Sequence, residues 1–220
     1  MIHAVTADKW SVRPESLNRE PPRGHNGAMR IRPATISDVT HLATLVDIAG
    51  EGFASYFWSQ MAGPGQSPLE IGRARAKRDE GSFTWRNAHM AEIDGEIAGA
   101  LVGYPIPDPV PAEDIDEVPE IARPLVLLEA EAPGHWYINV LAVFPEFRGK
   151  GLGRALLAKA DEIGRDAKAK GMALIVASEN DGAVRLYRRA GFAPSHRRPI
   201  TGFPGYKRGG DWVLMTRPCA

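Results

Sequence analysis

The 220-residue chain predicts an α/β domain built on one mixed sheet with helices on both faces. Three observations carry that expectation. Two strand-like runs, residues 88–93 and 96–104, are joined by Asp94-Gly95, the strongest short hairpin signal, because a tight hairpin turn wants residues that tolerate positive φ. Residues 136–177 read as buried strand, long amphipathic helix, buried strand; in such a βαβ unit the two strands neighbour each other in a sheet. The strands also outnumber those of a clean α/β alternation, so the sheet is mixed.

Taken in order, residues 1–28 carry Pro14, Pro21, Pro22, Gly24 and Gly27 among charges of both signs and read as an arm. A second methionine, Met29, opens the domain assigned to residues 29–220. Residues 29–33 alternate as a short strand that stops at Pro33. Ser37 and Asp38 offer N-caps, Val39, Leu42, Ala43, Val46 and Ala49 recur at helical spacing, and Gly50 ends the helix. Gly63-Pro64-Gly65 breaks the chain before a second helix over 69–80, rich in Arg73, Arg75, Lys77 and Arg78. After the hairpin comes an insertion, residues 105–134, with seven prolines and a helical pattern of Ile121, Leu125 and Leu128 within 118–131. Residues 136–143 (WYINVLAV) are apolar on both faces and read as a central strand. A loop leads to a helix over 152–170 with Leu152, Leu156, Ala160, Ile163 and Ala167 on one stripe, closed by Gly171. A strand over 172–177, a short helix over 181–189, a loop rich in Gly, Pro, Arg and Lys, and a last strand over 212–216 complete the chain.

Composition narrows the function classes. Lys plus Arg and Asp plus Glu both number 27, so the chain lacks the basic excess of a nucleic-acid binder. A single cysteine, Cys219, excludes an intrachain disulfide and a cysteine-built zinc site, and no metal is expected. No run approaches the roughly 18 apolar residues that span a bilayer. The first 27 residues lack a signal-peptide core, and Asp8, Glu15 and Glu20 disfavour a transit peptide. The expectation is a cytoplasmic protein with neither membrane nor nucleic acid as partner.

The informative stretch is Arg148-Gly149-Lys150-Gly151-Leu152-Gly153, between a buried strand and a long helix. Alternate glycines allow a sharp turn and leave backbone N–H groups uncovered. The first turn of a helix has unpaired N–H groups and partial positive charge, so a phosphate or pyrophosphate fits there. Arg148 and Lys150 add charge. A Walker loop would need Ser or Thr after Lys150, where Gly151 stands, and a dinucleotide fingerprint would need G-x-G-x-x-G, where the spacing is G-x-G-x-G. The bland alternative is that the glycines end a loop and permit close helix packing.

Here the sequence resembles the GCN5-related N-acetyltransferases, the GNAT family. Their signature of Arg or Gln, two residues, Gly, one residue, Gly or Ala is met by Arg148 to Gly153, and VLAVFPEFRGKG looks like the family's central strand and pyrophosphate loop. Residues 180–192 match a second motif, N-x-x-A-x-x-L-Y-x-x-x-G-F, and Arg32-Pro33-Ala34 with Ser37-Asp38 looks like the family's start. The resemblance implies a mostly antiparallel central sheet and acetyl-CoA as cosubstrate. It implies pairing of the cosubstrate with the backbone of Leu141, Ala142 and Val143, and pyrophosphate on the amides of Arg148, Gly149, Lys150, Gly151, Leu152 and Gly153. It also implies pantetheine at Asn180 beside Ala183, an oxyanion on the Leu141 N–H, and Tyr187 as the acid that protonates the thiolate. A homodimer is expected by analogy.

The implied base is open. Some relatives place a carboxylate where this chain has Tyr137, a poor base near neutral pH. Glu51, Glu129, Glu131 and His135 are candidates, and reaction without a single base is another reading. Each has a bland reading: Glu51 as a helix-end cap, Glu129 and Glu131 as the exposed face of the inserted helix, His135 as a strand-edge histidine. Residues 91–134 hold eleven acids against Arg123, and residues 151–220 hold thirteen basic residues against six acids. Either the acidic insertion attracts a cationic amine and the basic half attracts CoA, or the insertion is a solvated loop. Polyamines, amino sugars, aminoglycosides and peptide amines all remain acceptors on this reading. A non-catalytic acyl-CoA sensor is the rival from another class.

Overall fold

A computed structural model describes residues 29–112, 114–206 and 209–219; the arm expected in residues 1–28 lies outside them. Seven strands form one sheet in the order β1-β2-β3-β4-β5-β7-β6. They are β1 (Arg30–Pro33), β2 (Ala88–Ile93), β3 (Glu96–Pro105), β4 (Trp136–Val143), β5 (Met172–Ala177), β6 (Ala193–Pro199) and β7 (Asp211–Arg217). Only β4 and β5 run parallel, joined by the expected helical crossover. The α-helices among the described residues are α1 (Val39–Ala49), α2 (Phe53–Ser59), α3 (Pro68–Ala76), α4 (Arg123–Glu129), α5 (Leu152–Asp166) and α6 (Asp181–Arg189).

The hairpin forms as the sequence demands: Asp94 and Gly95 take φ of 52° and 84°. The sheet buries both faces. Leu42, Phe53, Trp58, Leu128 and Tyr137 belong to one core under α1–α4, and Leu101, Ile138, Leu156, Met172 and Tyr187 to another under α5 and α6. Opposing cores on one sheet explain why β5 is apolar throughout and β4 is apolar but for Asn139.

The structure corrects several expectations. The chain enters α1 through a short 3₁₀ turn, Ile36–Asp38, and Asp38 does not cap the helix with its side chain. Its carboxylate accepts from the Thr35 N–H at 2.7 Å and from the Arg32 guanidinium at 2.7 and 2.9 Å. Arg32 also donates to Glu92 on β2 at 2.6 Å, so a tripartite ion pair ties β1 to the entry of α1. Helix α2 was not legible: its seven residues, FASYFWS, are too few to show a helical period. Helix α3 starts one residue earlier than expected, where Ser67 and Glu70 close a capping box, and stops at Ala76 with Lys77 as its C-cap, four residues short of residue 80. Among the described residues of the insertion only Arg123–Glu129 is α-helical; Pro124 sits in its first turn and turns precede it. Helix α5 stops at Asp166, four residues short of the expected end. Strand β6 lies where a loop was expected. Its sequence, APSHRRP, has prolines at both ends and almost no buried side chain, which an edge strand tolerates.

Candidate active site

The site begins where two parallel strands part. β4 pairs with β5 only over Trp136–Ile138 and Met172–Leu174, although β4 continues to Val143 and β5 to Ala177. On its other side β4 keeps pairing with β3 to Val143. The Phe144 N–H donates to Ala98 on the β3 side at 2.9 Å. Backbone direction alternates along a strand, so Leu141 and Val143 turn their N–H and C=O groups toward the gap, and Ala142 turns its own to β3. The Val143 carbonyl accepts from Arg148 Nε at 3.2 Å. Of the three strand residues implied for the cosubstrate, Leu141 and Val143 offer backbone to the notch and Ala142 offers a buried methyl.

A bulge marks the apex. Val102 faces Val140 and Gly103 faces Ile138, leaving Asn139 as the extra residue on β4. Asn139 is 8% exposed, and neither atom of its side-chain amide has a hydrogen-bond partner among the described residues. Buried polar groups are almost always paired, and this amide is open at both ends where the strands separate. Sequence reading passed over it as one polar letter in an apolar strand.

Below the notch lies the glycine-rich turn. Gly149 and Gly151 take φ of 76° and 83°, and a Cβ on either would meet nothing within 4 Å. These two glycines serve backbone conformation and leave open space before the loop. Gly153 differs: a Cβ there would lie 3.1 Å from Leu186 on α6, so it serves close helix packing. The motif thus combines a sharp, open turn at Gly149 and Gly151 with close helix packing at Gly153. Gly151 is the N-cap of the fifteen-residue α5 and has no side chain to cap it. The Leu152, Gly153 and Arg154 amides have no carbonyl within the helix to receive them. Lys150 rests its ammonium over the Phe147 ring at 5.1 Å.

Tyr187 on α6 is buried in the same core as Leu141 and Val143, with its ring edge-on to Phe192. Burial pushes its phenol up to about 12, so it keeps its proton at neutral pH. Asn180 caps α6: its Oδ1 accepts from the Ala183 N–H at 3.2 Å, while its Nδ2 donates to Glu51 Oε1 at 3.0 Å. The structure thus joins two candidates the sequence kept apart. Glu51 sits in a left-handed turn, φ 51°, between α1 and α2 and orients the Asn180 amide.

The expectation that Glu129 faces solvent is wrong. It is 3% exposed and accepts from the Tyr104 hydroxyl at 3.2 Å. Tyr104 packs on Tyr137 with ring centroids 5.5 Å apart. Burial first, and the Glu129 charge second, push both phenols well above their ordinary value; Tyr187 adds to the effect on Tyr137. Tyr137 thus feels both the Glu129 carboxylate and Tyr187. The carboxylate absent from position 137 of the strand arrives beside it from α4. Glu131, by contrast, is exposed and lies 3.9 Å from His196 and 4.0 Å from Arg198. His135 is at the opposite end of β4, six residues or about 20 Å along the strand from Leu141, beside Gly171.

With this geometry in view, comparison with known proteins is decisive at one level. The profile of the acetyltransferase (GNAT) family matches residues 53–192, more than half the chain. The chain belongs to the GNAT family.

This GNAT chain is similar to the mycothiol acetyltransferase of Cellulomonas flavigena, 31% identical over 135 residues, which cover 59% of this chain and 33% of that protein. An uncharacterized N-acetyltransferase of Methanocaldococcus jannaschii is 42% identical over 55 residues, 25% of this chain and 24% of that one. The aligned segments thus span a third or less of either curated relative. The GNAT fold itself recurs in solved structures. An acetyltransferase crystal structure has a TM-score of 0.60 at 22% identity, covering 87% of this chain and 100% of that one. A putative acetyltransferase from Salmonella typhimurium, solved with its cofactor acetyl-CoA, has a TM-score of 0.54 at 20% identity over 89% of this chain and 95% of that one. Among the described residues of this GNAT chain no helix is long and apolar enough to cross a membrane.

Proposed function

We infer that the chain transfers an acetyl group from acetyl-CoA to a primary amine. The observation that carries the reading is the parting of β4 from β5 directly before a glycine-rich helix entry. Membership of the GNAT family and a similar fold crystallised with acetyl-CoA support it.

Acetyl-CoA suits the residues present. The amides of Arg148 to Gly153, with the Arg148 and Lys150 charges, suit a pyrophosphate. The backbone edge at Leu141 and Val143 suits the pantetheine amides, and the unpartnered Asn139 amide gains a partner at the apex. Bound there, the cosubstrate supplies a thioester whose acyl carbon is open to attack by an amine. The Leu141 N–H stabilises the negative charge gathering on the carbonyl oxygen, in a site walled by apolar side chains. The C–N bond forms and the C–S bond breaks. The proton of the amine goes to Glu129, directly or through a water, and the Tyr187 phenol gives its proton to the departing thiolate.

The test is release of free thiol from acetyl-CoA in the presence of a panel of primary amines. Thiol release that depends on both the amine and acetyl-CoA supports the reading. Stabilisation by acetyl-CoA with no release for any amine class would make the chain a sensor.

A further inference from the structure

Glu51 stands where glycine would be easier. It takes a left-handed φ of 51° between Gly50 and Gly52, a conformation in which a side chain carries strain. Backbone groups and Asp47 close the turn. The Gly50 N–H donates to Val46 at 3.1 Å, the Gly52 N–H to the Asp47 carbonyl at 3.1 Å, and the Ser55 N–H to the Asp47 carboxylate at 2.7 Å. The Glu51 carboxylate reaches a group 129 residues on, Asn180 Nδ2 at 3.0 Å.

Asn180 is a junction. Its own N–H donates back to Ala177 at 3.0 Å, which keeps it beside the part of β5 that no longer pairs with β4. Its Oδ1 accepts from the Ala183 N–H at 3.2 Å and caps α6. A side-chain amide can be turned either way, and its two ends differ, one accepting and the other donating. A carboxylate only accepts, so Glu51 requires Nδ2 on its own side and leaves Oδ1 for α6. That helix borders the site at two points. It carries Tyr187, about two turns beyond Asn180, and its Leu186 packs where a Cβ on Gly153 would stand 3.1 Å away. Ser178 and Glu179 hold the β6–β7 loop beside the same junction, accepting from the Asp211 N–H at 3.0 Å and the Gly209 N–H at 3.2 Å.

We propose that Glu51 is a positioning residue and not a base: it fixes the Asn180 amide and, through that amide, the start of α6 beside the gap between β4 and β5. The proposal rests on the acetyl-transfer reading and adds to it the residue that holds one wall of the site. The strained turn between α1 and α2 is then the anchor of a helix far along the chain. Removing the carboxylate leaves α2 in place, because Phe53 and Trp58 are buried in the core and Phe53 meets Phe203 edge-on at 5.5 Å. Variants at Glu51 should therefore fold.

The test uses the full chain and two readouts. Hydrogen exchange at the Ala183 amide, followed by NMR, reports the cap with no ligand present. Calorimetric titration with acetyl-CoA reports the site. Glu51→Ala should speed Ala183 exchange about 5-fold and weaken acetyl-CoA binding about 5-fold, the scale of a lost cap. Glu51→Gln still presents an acceptor to Asn180 and should bring both readouts to within about 2-fold of the parent. In an Asn180→Ala background Glu51→Ala should weaken acetyl-CoA no further, because the carboxylate acts through that amide. Parent-like behaviour of Glu51→Ala in either readout would overturn the proposal. So would equal losses in Glu51→Gln and Glu51→Ala, or the same loss from Glu51→Ala with and without the Asn180 side chain. Failure of the parent to bind acetyl-CoA would instead overturn the acetyl-transfer reading, and Ala183 exchange would still decide whether Glu51 positions α6.

Discussion

In the proposed reaction, Tyr187 and Glu129 divide the proton traffic at the scale of the single residue. Tyr187 keeps its proton because burial raises its phenol to about 12, so its contribution as an acid is constant through the neutral range. Tyr187→Phe should slow thiol release about 10-fold or more at every pH from 6 to 9, with the KM for acetyl-CoA little changed. A flat, parent-like rate for Tyr187→Phe over that range would remove the phenol from the mechanism. Glu129→Gln is nearly isosteric and still accepts from Tyr104. It should lower kcat by about 10²-fold and spare acetyl-CoA binding. These two residues also show the limits of sequence reading. Tyr187 was legible because a spaced motif surrounds it. Glu129 looked like any acid on a short helix, and only the packing of α4 over Tyr104 reveals its burial. Asn139 was hidden for a similar reason: a bulge is a property of pairing between strands and leaves no mark on one strand alone.

At the scale of the element, the strands and helices with strong periodicity were readable to within a residue or two, including β2, β4, β5 and α6. Helix α2 and strand β6 were not. Neither carries its own signal; α2 is held by Phe53, Phe57 and Trp58 against the core, and β6 by its ladder to β7. Two predictions belong here. Gly151 adopts a left-handed φ at the N-cap of α5 with open space around it. Gly151→Ala should therefore cost only about 1 kcal/mol in urea unfolding yet weaken acetyl-CoA binding, because the strain is relieved by turning the amides away. His89 on β2 has its pKa lowered to about 4, mainly by burial and secondarily by Lys159, with Glu162 opposing. It is neutral in the fold, while the unfolded chain takes up a proton below about 6.5. Its contribution is therefore complete above pH 6.5 and is lost as pH falls toward 4, up to about 3 kcal/mol. Urea midpoints at pH 7 and pH 4.5 should differ less for His89→Gln than for the parent.

The whole molecule is neutral in sum but divided along the chain, acidic before β4 and basic after α5. That division was legible from composition; its purpose was not. In the fold, acids of the insertion face Lys170, His196 and Arg198, so part of the division joins the insertion to the second half of the sheet. Exposed pairs of this kind each contribute little, and salt should weaken them. The firmer tie is at the other edge, where Arg32 joins Asp38 and Glu92 with all three side chains largely shielded. Arg32→Met should destabilise the fold by about 3 kcal/mol, because it leaves the Asp38 carboxylate buried without its cation. A loss below about 1 kcal/mol in urea unfolding would show that the triad is solvated in solution.

The central claim is that the gap between β4 and β5, with the glycine-rich entry to α5, is an acetyl-CoA site. Thermal unfolding measures it most directly. Acetyl-CoA at about 100 times its Kd should add about 2.7 kcal/mol and raise the melting temperature by roughly 5–10 °C, while NAD and ATP at the same concentration leave it unchanged. No rise with acetyl-CoA, or an equal rise with NAD or ATP, would contradict the account.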